Sequence, residues 1–331
     1  MKTKTLSIAL GVALSFVLAV GAWAFFMSRG SLPSDPLRYA PDETFAIARI
    51  NASSLKRAPA IKKLLEENEG ILAELKEDCS FELALALNHA TVFMLHDAES
   101  ELFGGVVSLV GNFNRAETIE CMTSRLADVE VNATIVELEG FEALAVENSS
   151  TRAAFIGSKG IILGDEPQLA PVLRKLRGEG RAISDESGVG ALFRRIHTGR
   201  DIEIAVSLYE GWHREVGEFL DPAKAYHILP EVRDLTDVAF GTSIQSGINV
   251  GGFVRYSSSA HAERAKESVD ALIATLKRNV FLAVTPAASL INALKFDQEG
   301  REIRFGVEVG EGELEAVMRV LRAFAEAGRQ D

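Results

Sequence analysis

The feature that most constrains this chain is an uncharged apolar run near its N-terminus. Residues Leu6 to Met27 contain no Asp, Glu, Lys or Arg. As an α-helix this run would rise about 33 Å, enough to cross a hydrocarbon core of about 30 Å. A helix that is apolar on every side must be covered by lipid or buried in a large core. We therefore interpret residues 1–29 as a signal anchor whose helix, 6–27, spans a membrane.

The charges around this run predict its orientation. Lys2, Lys4 and the amino terminus precede it, whereas only Arg29 follows close behind it. Positive charge is retained on the cytoplasmic side of a membrane, so we expect a cytoplasmic N-terminus and an exported body. A second interpretation stays open, because Ala22-Trp23-Ala24 resembles a signal-peptidase site. Cleavage near Ala24 would release a secreted protein.

The exported body is acidic. The whole chain has 35 Lys and Arg residues against 47 Asp and Glu, a formal net charge of −12. Setting aside the three basic residues of segment 1–29 leaves 32 against 47, a net charge of −15. A surface of this sign repels phosphate backbones, so we exclude nucleic acid as a partner. The membrane contact is assigned to residues 6–27.

Paired strands dominate the rest of the sequence. Short β-type runs are joined in pairs by polar or glycine-containing turns, and tight turns of this kind connect antiparallel neighbours. Between the pairs lie stretches with apolar residues at helical spacing, such as 259–279. The pattern predicts an α+β fold of antiparallel sheet with helices on one face. The predicted hairpins are 90–95 with 102–110, 133–138 with 141–146, 152–156 with 161–163, 237–244 with 248–256, and 293–296 with 302–309.

The order of predicted elements occurs twice. A strand, a helical stretch, a hairpin, a helix, further hairpins and a closing helix repeat at a spacing of about 155 residues, as in a duplicated unit. The segment Arg177-Gly-Glu-Gly-Arg181 is the best internal boundary. The sequence thus predicts a linker over 30–40, a first α+β unit over 41–180 and a similar second unit over 181–331.

The opening of the body resembles that of a group of uncharacterised bacterial envelope proteins. The resemblance rests on Pro41-Asp42-Glu43-Thr44, a short strand that ends at Ile50, and Leu55 with a following helix. The later helix at Ala260-His261-Ala262-Glu263, between two hairpins, is similar too. Such proteins have an N-terminal anchor and an exported domain of unknown function. The resemblance implies an envelope location and assigns no catalytic residue. Together with the predicted anchor and its flanking charges, it leads us to expect a single-pass protein of the inner membrane with its body in the periplasm.

No catalytic, cofactor-binding or metal-ligating set emerges from the sequence. Ser53 and Lys56 have the Ser-x-x-Lys spacing of penicillin-binding enzymes, but the other signatures of that class are absent. A helix start, with Ser as the cap and Lys in solvent, explains the pair equally well. The six histidines show no compact ligand spacing, and His89 and His96 would lie about 23 Å apart on an extended strand. We expect surface or half-buried histidines and no cofactor.

An aromatic segment is the most distinctive candidate for a partner or ligand surface. It runs from Tyr209 to Pro230 without helical or strand periodicity. Amphipathic aromatic side chains are favoured at interfaces and in ligand clefts, although the same residues can close the end of a sheet as half-buried core. Both interpretations stay open here. The candidate residues are Tyr209, Trp212, His213, Tyr226 and His227.

The two cysteines, Cys79 and Cys121, belong to no metal or redox motif. Cys121 lies on a predicted helix, and helical geometry places it beside the apolar face rather than on it. A partly exposed thiol outside the cytosol is usually paired, and an exported compartment permits a disulfide. A Cys79–Cys121 disulfide and two free thiols therefore both remain open.

These observations favour a non-enzymatic role. The leading hypothesis is a membrane-anchored, exported binding or scaffold module of the cell envelope, with a protein or another envelope component as partner. The alternatives are an exported hydrolase with an unrecognised site and a carrier of a hydrophobic ligand. Converging Ser, His and Asp side chains in a cleft would favour the hydrolase. A large apolar cavity under the long helix would favour the carrier.

Overall fold

The computed structural model describes residues 32–59, 61–62, 84–97, 102–180, 183, 186, 188–208, 230–245, 247–278 and 287–313. The predicted membrane helix over 6–27 lies outside these ranges, as do residues 209–229 of the aromatic segment. Within them, no helix combines the length and the apolar character that a membrane crossing requires.

A single twelve-stranded sheet organises the described part of the chain, and each pair of neighbouring strands is antiparallel. The predicted antiparallel hairpins are confirmed, with bounds that differ by a few residues at most. The strands are β1 Thr44–Ile50, β2 Leu87–Asp97, β3 Leu102–Gly111, β4 Ala133–Leu138, β5 Phe141–Val146, β6 Thr151–Ile156, β7 Gly160–Asp165, β8 Ile202–Ser207, β9 Leu235–Ser243, β10 Gly247–Tyr256, β11 Lys295–Glu299 and β12 Glu302–Gly310.

The strand order across the sheet is β11-β12-β10-β9-β8-β1-β2-β3-β7-β6-β5-β4. From the centre outward, the first half contributes the strands β1-β2-β3-β7-β6, and the second half contributes β8-β9-β10-β12-β11. In both halves, three strands follow in chain order and the next two lie in reverse chain order. The β4–β5 hairpin extends the first half by two strands. The halves meet where β1 pairs with β8, so one continuous sheet contains the strands of both halves.

Helices lie on both faces of this sheet. They are α1 Ala52–Leu55, α2 Arg115–Asp128, α3 Glu166–Leu176, α4 Gly188–Ile196, α5 Ser259–Arg278 and α6 Ala287–Ala293, with short 3-10 turns at Pro36–Arg38 and Pro230–Asp234. Local sequence explains several of their starts. The side chain of Asn114 accepts a hydrogen bond from the Ala116 N–H, and its amide donates to Oε1 of Glu117, so Asn114 is the N-cap of α2.

The first face, defined by Ile47 and Phe93, carries the main core. Segment 32–40, α3 and α4 pack on it, and their buried residues form one cluster with those of the central strands. The opposite face carries two smaller clusters. One lies beneath α2 around Phe155, and the other lies beneath α5 around Ile303. The expectation of helices on one face is therefore wrong: side chains alternate along each strand, and both sets are largely apolar.

Candidate functional site

A row of polar side chains crosses the centre of the first face. Arg49 on β1 lies opposite Glu203 on β8 and opposite Thr91 on β2, and Thr91 lies opposite Ser108 on β3. Directly opposite residues of antiparallel strands point to the same side of the sheet. The row thus joins the two halves of the chain across the β1–β8 pair, at the end of the sheet where β8 begins.

Glu203 is the buried acid of this row, with 1% of its surface exposed. Its Oε1 accepts hydrogen bonds from the backbone N–H groups of Thr198, Gly199 and Arg200, at 3.0, 3.1 and 3.2 Å. Its Oε2 lies 2.6 Å from Nδ1 of His197. One carboxylate therefore holds the whole connection between α4 and β8, because a buried charge is stable only where several donors surround it.

Arg49 supplies the cation of the row. Its Nη1 lies 3.2 Å from Nε2 of His197 and 3.8 Å from Oε2 of Glu203, and the His197 ring stacks on Phe193 of α4 with centroids 5.1 Å apart. Only 14% of the Arg49 side chain is exposed. Its Nε and Nη2 have no protein partner within the described ranges, so the guanidinium retains free donors.

Arg49 is one of the residues that line a cavity of about 430 Å³ at the end of the sheet. The cavity lies between segment 32–34, α1 and the first face of β1 to β3. Its volume falls in the range of small-molecule sites. The wall combines apolar and polar groups, and it consists of Leu32, Pro33, Ser34, Tyr39, Arg49, Ser53, Asn88, His89, Thr91 and Val110.

Tyr39 and His89 give the cavity wall its remaining polar character. Tyr39 is buried, its hydroxyl lies 3.1 Å from Oγ of Ser108, and burial raises the pKa of its phenol. His89 is half-buried, and burial, with a smaller contribution from the charge of Arg49, lowers the pKa of its imidazole. The Nδ1 atom of His89 is buried and makes no hydrogen bond. The His89 imidazole and the Arg49 guanidinium thus both belong to the cavity wall.

The Ser-x-x-Lys pair lies at the edge of this cavity and has structural contacts. The Ser53 hydroxyl donates to Oδ1 of Asn88 at 2.9 Å, and an amide oxygen is not a base. Lys56 Nζ donates to two backbone carbonyl groups near the start of β2, at 2.6 Å each, and burial lowers its pKa. The helix cap is Asn51 rather than Ser53, because the Asn51 side chain accepts from the Ser54 N–H. The expectation that the Lys56 side chain lies in solvent is therefore wrong, because its ammonium group binds two backbone carbonyl groups.

A Ser, a His and an Asp also converge at the start of α5. The Ser257 hydroxyl lies 2.8 Å and the Asp234 carboxylate 3.2 Å from the same nitrogen, Nδ1 of His261. In a catalytic triad the acid holds one ring nitrogen while the other nitrogen takes the proton of the serine. Here both groups compete for one nitrogen, so the cluster does not form that relay.

Arg200 fixes the other end of the polar row. Its Nη1 donates to the carbonyl groups of Gly241 and Gly251, at 2.7 Å each, and its side chain lies over both glycines. A Cβ at Gly241 would come within 2.6 Å of Cδ of Arg200. The two glycines, opposite each other on β9 and β10, therefore leave the space that the arginine occupies.

A separate ion pair ties α4 to the outer strands. Both oxygens of Glu302 accept from Arg195, at 2.8 Å each, and the Arg195 guanidinium lies 3.8 Å from the centroid of the Phe253 ring. The hydrogen bonds from Arg195, with a further contribution from Arg304, lower the pKa of Glu302 despite its burial. This pair explains how a short helix with a polar outer side is fixed on the sheet.

Of the residues predicted as a site or as a disulfide, only Cys121 lies in the described part of the chain. Tyr209, Trp212, His213, Tyr226 and His227 all lie outside the described residues, and so does Cys79. Cys121 is buried rather than partly exposed, and it is disulfide-bonded. The identity of its partner stays a prediction, with Cys79 as the other cysteine of the sequence. Among the residues that the structure covers, no group of three or more His, Cys, Asp or Glu could hold a metal ion.

Known proteins give no family for this chain. No protein-family model and no curated protein matches the sequence. The structure is similar to two solved structures of TP0453, crystal forms I and III, with TM-scores of 0.47 and 0.45 and with 11% and 10% sequence identity. The alignments cover 87% and 86% of this chain and 98% of each TP0453 chain. The resemblance of residues 41–55 and 260–263 to uncharacterised envelope proteins therefore stays a prediction.

Proposed function

We propose that this protein is a membrane-anchored, exported binding module of the cell envelope, and that the cavity beside Arg49 is its binding site. The observation that carries the proposal is the set of open hydrogen-bonding groups in the cavity wall. Within the described part of the chain, the contacts of the Arg49 guanidinium run through Nη1, and the buried Nδ1 of His89 has no hydrogen-bond partner. Unpaired polar groups are costly in a protein interior, and a ligand with acceptor atoms would satisfy them.

The chemistry of the wall indicates the class of ligand. The guanidinium forms paired hydrogen bonds with carboxylate or phosphate oxygens, whereas Leu32, Pro33 and Val110 offer apolar contacts. The ligand would thus have an anionic end and an apolar part. Nη1 of Arg49 lies 3.8 Å from Glu203 and 3.2 Å from Nε2 of His197, and these contacts position the guanidinium before the ligand arrives.

Binding rather than catalysis is supported by the partners of the candidate nucleophiles. Ser53 donates to an amide oxygen, and Ser257 shares one histidine nitrogen with an aspartate. The partner of Ser53 is not a base, and the histidine nitrogen beside Ser257 is the one that Asp234 also contacts, unlike the nitrogen that faces serine in a catalytic triad. The proposed location is a single-pass inner-membrane protein with its body in the periplasm. Release after cleavage near Ala24 is the alternative.

Site-directed photo-crosslinking in intact cells tests the proposal. A photoreactive residue at Ser34, on the exposed rim of the cavity, should trap a ligand or partner, whereas the same residue at Leu272 on α5 should not. Arg49→Gln should reduce the adduct at position 34 by about tenfold or more, because it removes the charge-assisted hydrogen bonds. Equal adducts at both positions, or an adduct unchanged by Arg49→Gln, would reject the cavity as the binding site.

The hydrolase alternative has its own measurement. Purified full-length protein is incubated with envelope polymers and ester substrates, and Ser53→Ala and Ser257→Ala variants are run beside it. We expect no turnover above the buffer control. Turnover that either substitution abolishes would replace the binding hypothesis with an enzymatic one.

A further inference from the structure

The two ends of the sheet differ in how their edges are protected. At one end, β11 is short, and three of its five residues are charged: Lys295, Asp297 and Glu299. Charge at an edge strand discourages pairing with another chain. At the other end, β4 has a single charged residue, Glu137, among six. Its four central residues, 134–137, are all exposed.

Apolar surface is concentrated at this second edge. The described part of the chain has seven large apolar side chains that are exposed, and three of them lie at or just before β4. Val129 is 66% exposed, Ile135 is 48% exposed and Val136 is 36% exposed. An apolar, weakly charged and terminal strand is a template for another strand.

The backbone register shows which groups the edge offers. The Glu147 N–H donates to the Asn132 carbonyl, so Asn132 points its backbone toward β5. Backbone direction alternates along an antiparallel strand. The N–H and C=O groups of Ala133, Ile135 and Glu137 therefore point away from the sheet, toward the open side of β4.

We propose that β4 pairs antiparallel with β4 of a second copy of this chain, about a two-fold axis that passes between the two Ile135 residues. The strand is self-complementary in this register. Ile135 meets its own symmetry mate, Glu137 lies opposite Ala133 of the second copy, and Val136 lies opposite Thr134. No two like charges face each other, and about six backbone hydrogen bonds form between the copies.

This pairing covers what the single chain leaves exposed. Ile135 of each copy packs against the other on the face that carries α2, and Val136 gains a neighbour on the opposite face. The interface is isologous, which is the usual geometry of a homodimer. The two sheets would continue as one across the axis, away from the cavity beside Arg49. The inference therefore does not depend on the proposed binding function.

Sedimentation of the full-length chain in detergent tests the association. We expect a monomer–dimer equilibrium in the micromolar range. Ile135→Lys would place two lysines opposite each other and should raise the dimer dissociation constant on the order of tenfold or more. The matched control is Leu272→Lys, which replaces an equally large exposed side chain on α5 and should leave the equilibrium unchanged. A chain that stays monomeric throughout would overturn the proposal, as would equal effects of the two lysines.

Disulfide trapping tests the register without a disruptive charge. Opposite residues of a hydrogen-bonded antiparallel pair have Cα atoms about 5.5 Å apart, a separation that a disulfide can bridge. Ile135→Cys should therefore cross-link the dimer on mild oxidation, whereas Val136→Cys, which lies opposite Thr134, should not. Cross-linking at 136 and not at 135 would refute the register, and no cross-link at either position would refute the pairing.

Discussion

Glu203→Ala tests most directly how much the buried carboxylate at the centre of the sheet stabilises the fold. It removes a carboxylate that is 1% exposed and leaves three backbone N–H groups, those of residues 198–200, without an acceptor. It also leaves Arg49 without its nearest opposite charge. Breaking a buried ion pair in this way costs about 3–5 kcal/mol.

The amide variant separates geometry from charge. Glu203→Gln keeps Oε1 as an acceptor for the three N–H groups, removes the negative charge beside Arg49 and replaces the acceptor Oε2 beside His197 by an NH2 donor, so we expect a cost of about 1–2 kcal/mol. For a folded body of roughly 300 residues, 1 kcal/mol corresponds to a change in Tm of about 1.5 °C. The alanine variant should therefore melt roughly 5–8 °C below wild type, and the glutamine variant roughly 2–3 °C below.

Thermal melts of the full-length protein, followed by far-UV circular dichroism, measure both shifts. The control is Glu267→Ala, since Glu267 is an exposed acid on α5. It should melt within about 1 °C of wild type. The reasoning fails if Glu203→Ala also stays within that margin, or if the glutamine variant is destabilised as much as the alanine variant.

Three further outcomes follow from the geometry. Gly252→Ala would bring a Cβ to 2.3 Å from a backbone oxygen of β9, so it should lower the free energy of unfolding by about 1–3 kcal/mol. Gly306→Ala on β12 is the control, because its Cβ would meet nothing nearer than 3.9 Å and the loss should be smaller. Urea titration of both variants measures the difference. Because the folded pKa of Glu302 is lowered, its contribution is present above the unfolded pKa and is lost as the pH falls through the folded value. Melts from pH 7 to pH 3 should therefore show the destabilisation by Glu302→Gln shrinking toward zero. A Cys79–Cys121 disulfide should appear as one linked peptide in a non-reduced digest, and its reduction should lower stability by about 4 kcal/mol; two unlinked peptides would exclude this pairing.

The strands could be predicted from the sequence because their signals are local. A short turn, a β-type run on each side and alternation within the run are all contained in about fifteen residues. The β4–β5 hairpin shows this well, since its two-residue turn at Glu139-Gly140 has positive φ at both positions, as a type I′ turn requires. Its predicted bounds match the observed strands.

Helix α4 is absent from the predicted elements, although the spacing of its apolar residues predicts it. Val189, Leu192, Phe193 and Ile196 are buried and follow the spacing i, i+3, i+4, i+7 of an amphipathic helix. Two glycines in its first turn argue against a helix, because each glycine destabilises a helix by about 1 kcal/mol relative to alanine. The packing of these four side chains on the sheet outweighs that cost.

The cavity and the polar row could not be predicted in the same way. Arg49 and His197 are 148 positions apart, and the pairing of β1 with β8 brings them together. Each residue alone has the local pattern of an ordinary strand or loop position. The aromatic segment over 209–229 was the stronger sequence signal, and its proposed role as a partner surface stays a prediction.

The β9–β10 hairpin shows where local signals stop being sufficient. A two-residue turn at Ser246-Gly247 would place Gly241 opposite Gly252, whereas the structure places Gly241 opposite Gly251. A shift of one residue moves every side chain of one strand to the other face of the sheet. A distant group contacts this connection, since the carboxylate of Asp201 accepts the Ile244 N–H. Only with the observed register do the two glycines lie on the face that Arg200 covers.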